Sequence, residues 1–134
     1  MIRRLKLAFM SSYKPTDSEL EILQILWEHG PVSVRFVHEI VAKEKAVGYT
    51  TTLKLMQIMA DKGIVTRDTS SRTHIYKAAI SENQTQQQLL ERFVAGTFRG
   101  SAMKMVLSAL GSNKTSKEEL AEIKAFIKKI EEKE

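Results

Sequence analysis

Helix start and stop signals divide residues 15–80 into short segments, which limits this part of the chain to small helices and tight connections. The first segment is "PTDSELEILQILWEHGP". Thr16 can cap a helix there, and Glu19, three residues later, completes a capping box. Gly30 and Pro31 then end the helix. Apolar residues recur between these signals at helical spacing, so the segment predicts an amphipathic helix.

Two more helices follow in the same style. Ser33 is the predicted cap of "VRFVHEIVAKEK", whose apolar residues again recur at helical spacing. The stretch "GYTTTLKLMQIMADKGIVTR" predicts a third helix over Thr50–Lys62, with Thr50 as its cap and Gly63 just beyond its end. Threonine is a poor residue for a helix interior, so three in a row at the start require an explanation.

A β-hairpin is predicted directly after the third helix. The β-prone runs Ile64–Thr66 and Ile75–Tyr76 flank the polar turn "DTSSR". Three short helices followed by a hairpin within about 65 residues are the order of a winged helix-turn-helix domain. The predicted fold class is therefore mainly α with a small β-hairpin wing, over residues 15–80.

Residues 81–134 predict three amphipathic helices, the last opened by a second capping box at Ser116 and Glu119. So short a segment does not readily hide its own apolar faces, and docking against a second copy would cover them. We therefore predict a helical dimerisation region and a homodimer. The predicted dimerisation residues are Leu89, Leu90, Phe93, Val94, Val106, Leu107, Leu110, Leu120, Ile123, Phe126, Ile127 and Ile130.

Composition restricts the partners. The net charge is +5, and residues 1–80 carry 12 of the 21 Lys and Arg but 8 of the 16 Asp and Glu, which favours an anionic partner, nucleic acid first and a membrane surface second. Together with the winged-helix order of elements, this makes double-stranded DNA the predicted partner. Cysteine is absent, which excludes disulfides and fits a reducing cytoplasm. No apolar run is long enough for a membrane span. Residues 1–14 are predicted to be a basic N-terminal arm.

The third predicted helix carries DNA-reading chemistry at its N-terminus. A helical wheel places Thr52 on the buried face, with Leu55 beside it, and Thr51, Lys54 and Ile58 on the opposite side. Threonine hydroxyls bond phosphates or base edges, their methyl groups contact thymine methyls, and lysine bonds guanine or phosphate. The predicted DNA-binding residues of this helix are Thr50, Thr51, Lys54, Leu55 and Ile58.

The hairpin adds Arg67, Arg72 and His74, cationic or titratable side chains that a wing can lay along a phosphate backbone or in the minor groove. Arg72, at the turn, is the strongest of the three predictions. Scattered histidines without cysteine predict no metal site, no cofactor is implied, and no constellation of residues supports an enzyme. Two alternatives stay open: a winged-helix protein-interaction module, and a regulator that also binds a small effector.

The segments "PTDSELEILQILWEHGPVSVRFV", "GYTTTLKLMQIMADKGIVTR" and "RTHIY" together resemble the penicillinase repressor family, the BlaI/MecI-type bacterial transcriptional regulators. The resemblance runs from about residue 15 to residue 110, and the last helix agrees in character. Many members carry an arginine where this chain has Ile58. No Asn-Phe pair, the cleavage point of the best-known members, occurs near Ser108.

What the resemblance implies is a dimeric repressor whose N-terminal winged helix reads an inverted repeat in a promoter. Members typically control β-lactamase or related resistance genes, often beside a membrane metallopeptidase sensor that triggers repressor cleavage. A sensor-linked protease is therefore an implied partner. Carried over by position, Thr50, Thr51 and Lys54 fall on the DNA-facing part of the recognition helix, and Arg72 falls on the wing.

Overall fold

The computed structural model describes residues 13–112 and 114–133. Most of the predicted basic arm, residues 1–12, lies outside them. In chain order the elements are α1 (Asp17–His29), β1 (Val32–Ser33), α2 (Val34–Val41), α3 (Tyr49–Asp61), β2 (Val65–Asp68), β3 (Ile75–Ala78), α4 (Glu82–Thr97), α5 (Ala102–Ser112) and α6 (Lys117–Lys133). The predicted fold class, mainly helical with a small β-hairpin, is confirmed.

The predicted caps of the first two helices and of the last are present. In α1 the Glu19 amide donates to Thr16 Oγ1 at 3.2 Å, and the Thr16 amide donates to Glu19 Oε1 at 3.0 Å, which makes the capping box reciprocal. Ser33 Oγ accepts from the Phe36 amide at 3.2 Å at the start of α2. Ser116 and Glu119 form the second capping box before α6.

The predicted cap of α3 was wrong. Gly48 is the N-cap, Tyr49 is the first helical residue, and no side chain caps this helix. The amides of Thr51 and Thr52 donate instead to the Gly48 carbonyl, at 3.1 and 3.3 Å. Thr50 therefore lies inside the first turn, and its hydroxyl is not used as a cap. Capping propensity favours threonine over glycine only weakly, so the backbone conformation set by the preceding loop decided the start.

The C-terminal end of α3 agrees with the prediction. Lys62 is the C-cap and Gly63 follows with φ +80°, a left-handed conformation that side chains other than glycine rarely adopt. The Ile64 amide donates to the Met59 carbonyl at 3.1 Å and the Gly63 amide to the Ala60 carbonyl at 3.0 Å. These two bonds form a Schellman motif, which satisfies the last carbonyls and turns the chain into β2.

The sheet has three antiparallel strands in the order β1-β3-β2. β2 and β3 form the predicted hairpin, with Val65 opposite Ala78 and Arg67 opposite Tyr76. The two-residue β1, which the sequence analysis did not predict, pairs Val32 with Tyr76. So short a strand has no periodicity to detect, and its pairing only exists once the hairpin lies beside it.

One core joins the first three helices to the sheet. Its buried apolar residues are Ile22, Leu23, Ile25, Leu26, Val34, Val37, Val41, Met56, Met59, Ile64, Val65 and Tyr76. Thr52, Met56 and Met59 form the buried face of α3, as the helical wheel predicts. At the edge of this core, Trp27 Nε1 donates to the Ile80 carbonyl at 3.0 Å. Helix α3 therefore has a fixed inner face, and its other side is left for solvent or a ligand.

The chain divides into two compact units between Leu90 and Glu91, within α4. The predicted division into residues 15–80 and 81–134 stays a prediction. Within the described residues of the second unit, neither α5 nor α6 contains a buried residue. Leu107 is 61% exposed and Phe126 is 64% exposed. The apolar residues of these helices therefore have little cover from the chain itself.

Candidate nucleic-acid interface

The outer face of α3 begins with exposed threonines and continues along one side of the helix. Thr50, Thr51 and Lys54 are exposed, and Ile58 is 38% exposed. Leu55 is half-buried and, together with Thr51, lines a small groove with residues of α1, with Val41 of α2 and with Val47 of the loop that follows α2. Four of the five residues predicted on this helix therefore share the accessible side, and Leu55 lies towards α1 and α2.

The N-terminal turn of α3 is held by side chains of α2. His38 Nδ1 and Thr52 Oγ1 are 3.0 Å apart, within hydrogen-bond distance. The His38 ring also meets the ring of Tyr49 edge-on, with centroids 5.6 Å apart. The Arg35 guanidinium lies over the Tyr49 ring, 5.7 Å from its centroid. The sequence analysis missed these contacts, although Arg35 and His38 are three residues apart on one helix and therefore on one face.

The C-terminal end of α3 is held by the carboxylate of Glu19, which is 1% exposed. Lys62 Nζ donates to Glu19 Oε2 at 3.0 Å, and the Tyr13 hydroxyl donates to Glu19 Oε1. Burial raises the pKa of Glu19, but hydrogen bonds from the Thr16 amide, Tyr13 and Lys62 outweigh burial and lower it. Burial, with the carboxylate next to it, raises the pKa of Tyr13. Side-chain contacts therefore hold α3 at both ends.

The turn of the wing is ordered by its own polar groups. The Ser70 amide donates to Asp68 Oδ1 at 2.9 Å, and Ser71 Oγ donates to the Thr73 carbonyl at 2.9 Å. Hydrogen bonds from Ser70 lower the pKa of Asp68, which favours the ionised form. Arg72, which the bond between Ser71 and Thr73 spans, is exposed. Arg72 of the wing therefore lies on a turn whose conformation is stabilised by hydrogen bonds between side chains and the backbone.

A cleft of about 400 Å³ opens between the wing and the N-terminal turns of α2 and α3. It brings together two of the predicted wing residues, Arg72 and His74, with Arg35 of α2, which the sequence analysis did not single out. Its lining residues are Ser33, Val34, Arg35, Tyr49, Leu53, Arg72, Thr73, His74 and Tyr76. None of these lining residues carries a carboxylate, so the cleft is positively charged.

Arg67, the third predicted wing residue, lies elsewhere. It lines a different groove of about 440 Å³ with Pro31, Thr66, Asp68, Ile75 and Lys77. The positive charge of Arg67 and Lys77 is opposed there by the carboxylate of Asp68. The structure therefore places the basic wing residues in two groups. Arg72 and His74 line the cleft next to the start of α3, and Arg67 and Lys77 line the other groove.

Residues 13–112 and 114–133 contain no group of three or more His, Cys, Asp or Glu side chains able to hold a metal ion. Within the same residues, no helix is long and apolar enough to cross a membrane.

The first unit has three helices around an apolar core and a three-stranded sheet with a hairpin wing, and the third of these helices has an accessible N-terminal face. These features define a winged helix-turn-helix protein. The chain belongs to the penicillinase repressor family, whose sequence profile matches residues 15–129. The predicted family resemblance is thereby confirmed. Members of this family are transcriptional regulators and not enzymes, and this chain is a DNA-binding transcriptional repressor.

Individual similarities are more distant. The penicillinase repressor of Bacillus licheniformis is 23% identical over 108 residues, which cover 81% of this chain and 84% of that protein. The solution structure of the DNA-binding domain of the repressor BlaI superposes with a TM-score of 0.48 and 21% sequence identity. That match covers 53% of this chain and 87% of the other.

Proposed function

We propose that the protein is a homodimeric repressor that binds an inverted-repeat operator through Thr50–Lys62 and the wing around Arg72. The observation that carries this proposal is the accessible face of α3. Thr50, Thr51 and Lys54 are exposed at its N-terminal end while both ends of the helix are fastened to the rest of the domain. A recognition helix enters the major groove in this way, with its N-terminal residues towards the bases.

The proposed dimer rests on the apolar residues of the C-terminal helices. Eight of the twelve predicted dimerisation residues are exposed, namely Leu90, Phe93, Val106, Leu107, Leu120, Phe126, Ile127 and Ile130. Large exposed apolar residues in such number are unusual on a monomer and typical of an interface. A symmetric dimer matches an inverted repeat because each recognition helix then reads one half-site, with half-sites about one helical turn or a multiple apart.

The targets and partners are proposed from the family. Penicillinase repressors control β-lactamase-type resistance genes, and we propose the same class of target for this protein, which would act in the bacterial cytoplasm. A sensor-linked protease is the proposed partner for induction. When the repressor is mixed with membranes from induced cells, we expect it to be cleaved and to dissociate from the operator.

The test is binding-site selection from random duplexes by the full chain, followed by fluorescence anisotropy on the selected duplex and on a scrambled duplex of equal length. We expect a palindromic selected site, with a binding preference that persists as the salt concentration rises. Equal affinity for both duplexes would refute the sequence-specific repressor. A protein-interaction module would show no salt-dependent binding to either duplex.

Oligomeric state is tested independently by size-exclusion chromatography with light scattering. The chain has a mass of 15.2 kDa, and we expect the measured mass at micromolar concentration to be twice that of the chain. A monomer at that concentration would refute the dimer while leaving DNA binding by a single domain to be judged from the anisotropy data.

A further inference from the structure

The cleft between α2, α3 and the wing has the chemistry of a phosphate site. Two guanidinium groups, those of Arg35 and Arg72, line it together with His74, and no lining residue is acidic. Ser33, Tyr49 and Thr73, which carry hydroxyl groups, also line it. Guanidinium groups bind phosphate oxygens with paired donors, and hydroxyl groups add further donors. The groove that contains Arg67 has Asp68 among its lining residues, and that carboxylate would repel the same anion.

Arg35 is held towards this cleft by an aromatic ring. Its guanidinium lies over Tyr49 at 5.7 Å from the ring centroid, and Tyr49 in turn meets His38 edge-on. A cation over an aromatic face is attracted to the ring and loses part of its freedom before any ligand arrives. Tyr49 is also the first helical residue of α3, so the position of Arg35 is tied to that of the recognition helix.

The cleft adjoins the residues proposed to read bases. Tyr49 lines it, and Thr50 and Thr51 follow directly in the first turn of α3. When that turn enters the major groove, the nearest anions are backbone phosphates at the edge of the groove. We propose, resting on the function proposed above, that the cleft binds one phosphodiester of the DNA backbone. Arg35 and Arg72 contact that phosphate from two different elements, and Tyr49 is a positioning residue for Arg35.

The first experiment compares salt dependence. Anisotropy with the selected duplex and with a random duplex is measured for the wild type, Arg35→Ala, Arg72→Ala and the double variant, from about 50 to 200 mM KCl. Because both arginines contact one phosphate, we expect the slope of log K against log[KCl] to fall by at most about 0.9 per protomer, in the double variant as well. A fall of about 1.8 in the double variant would mean two separate phosphates and overturn the shared site.

The control is Lys43→Ala, which removes one exposed positive charge from the far end of the α2 region, away from the residues lining the cleft. We expect its salt slope to match the wild type. A fall in slope for Lys43→Ala as large as that in the double variant would show that only net charge matters and would overturn the proposal. Far-UV circular dichroism and thermal midpoints verify that each variant is folded, and Arg35→Lys, which keeps the charge, is expected to recover most of the slope.

The second experiment identifies the phosphate. Single methylphosphonates, which remove the charge of one phosphate, are placed along each half-site of the selected duplex. One position should weaken wild-type binding, weaken Arg35→Ala and Arg72→Ala to a smaller extent, and have no effect in the double variant. Tyr49→Phe should retain the wild-type sensitivity at that position, and Tyr49→Leu should reduce it to the level of Arg35→Ala, because the ring and not the hydroxyl positions Arg35. Loss of sensitivity at two different positions in the two arginine variants would overturn the shared site.

Free phosphate is the other source of the same anion. Calorimetric titration of the wild type with inorganic phosphate should give no saturable binding in the millimolar range, and saturable binding that Arg35→Ala abolishes would assign the cleft to a soluble phosphate instead. The salt slope on the random duplex reports phosphate contacts whether or not the protein prefers a particular sequence, so it tests this proposal independently of the proposed function. A wild type that fails to prefer its selected site defeats the operator, whereas an unchanged slope in the double variant defeats only the phosphate site.

Discussion

Replacement of Lys62 with methionine removes the ammonium group that donates to the buried Glu19 carboxylate at 3.0 Å. Methionine keeps an apolar stem of similar length, so the main change is the loss of the charge. Glu19 is 1% exposed and depends on protein donors for its stabilisation. The variant therefore measures how much this one contact between α1 and the end of α3 contributes to the stability of the domain.

The expected loss is intermediate. Removal of one partner from a fully buried ion pair costs about 3–5 kcal/mol. The Lys62 side chain is 39% exposed, and the Thr16 amide and the Tyr13 hydroxyl still donate to the carboxylate. We therefore expect a decrease of about 1.5–3 kcal/mol in the free energy of unfolding, the range for a hydrogen bond to a charged group.

The decrease should depend on pH with a defined sign. Although burial raises the pKa of Glu19, hydrogen bonds from Thr16, Tyr13 and Lys62 lower it in the folded state. Such a group contributes stability above its unfolded pKa, about 4.3, and loses that contribution as the pH falls through the folded pKa. The difference between wild type and Lys62→Met should therefore be complete at neutral pH and shrink in acid.

The assay is urea unfolding followed by far-UV circular dichroism at neutral pH and at a series of acidic pH values. Lys45→Met is the matched control, because Lys45 pairs with Glu21 at 2.7 Å while both side chains remain partly exposed. An exposed ion pair contributes little, so this variant should unfold close to the wild type. Equal losses in the two variants, or a loss in Lys62→Met that is unchanged in acid, would refute the reasoning.

Three further variants test the recognition helix, its end and the proposed dimer. Lys54→Ala should cost about 1–3 kcal/mol of binding and relax specificity at one base position, measured by anisotropy on single-substituted operators; uniform weakening on every sequence would instead indicate a phosphate contact. Gly63→Ala should destabilise the domain by about 1–2 kcal/mol in urea unfolding, because φ is +80° there, and an unchanged midpoint would contradict that backbone cost. Leu107→Asp should shift the light-scattering mass towards the monomer, with Ser108→Asp on the same helix as the control.

Local signals were sufficient for most of the helix boundaries. The capping boxes at Thr16 and Ser116 and the stop at Gly63 depend on residues within a few positions of one another, so their spacing in sequence is their spacing in space. The start of α3 shows the limit. Gly48 took the cap position predicted for Thr50, because the path of the preceding loop and not the side chain preference set the first turn.

The chemistry of the interface divides in the same way. Exposure of Thr51 and Lys54 and burial of Thr52 follow from helical periodicity, so the sequence was enough to predict which side of α3 is accessible. Periodicity did not predict which residues of this helix contact other parts of the chain. Leu55, next to the buried face, lies in a groove with Val41 and Val47.

Only the folded chain brings together groups that are distant in sequence. Glu19 and Lys62 are 43 residues apart, and no local pattern marks them as partners. Arg35 and Arg72 come to line one cleft because β1 pairs with β3 and α2 follows β1 directly. Short-range propensities determined the elements, since capping and periodicity act within a few residues. Tertiary packing decided which cations share a surface, because that depends on contacts which exist only after the core has formed.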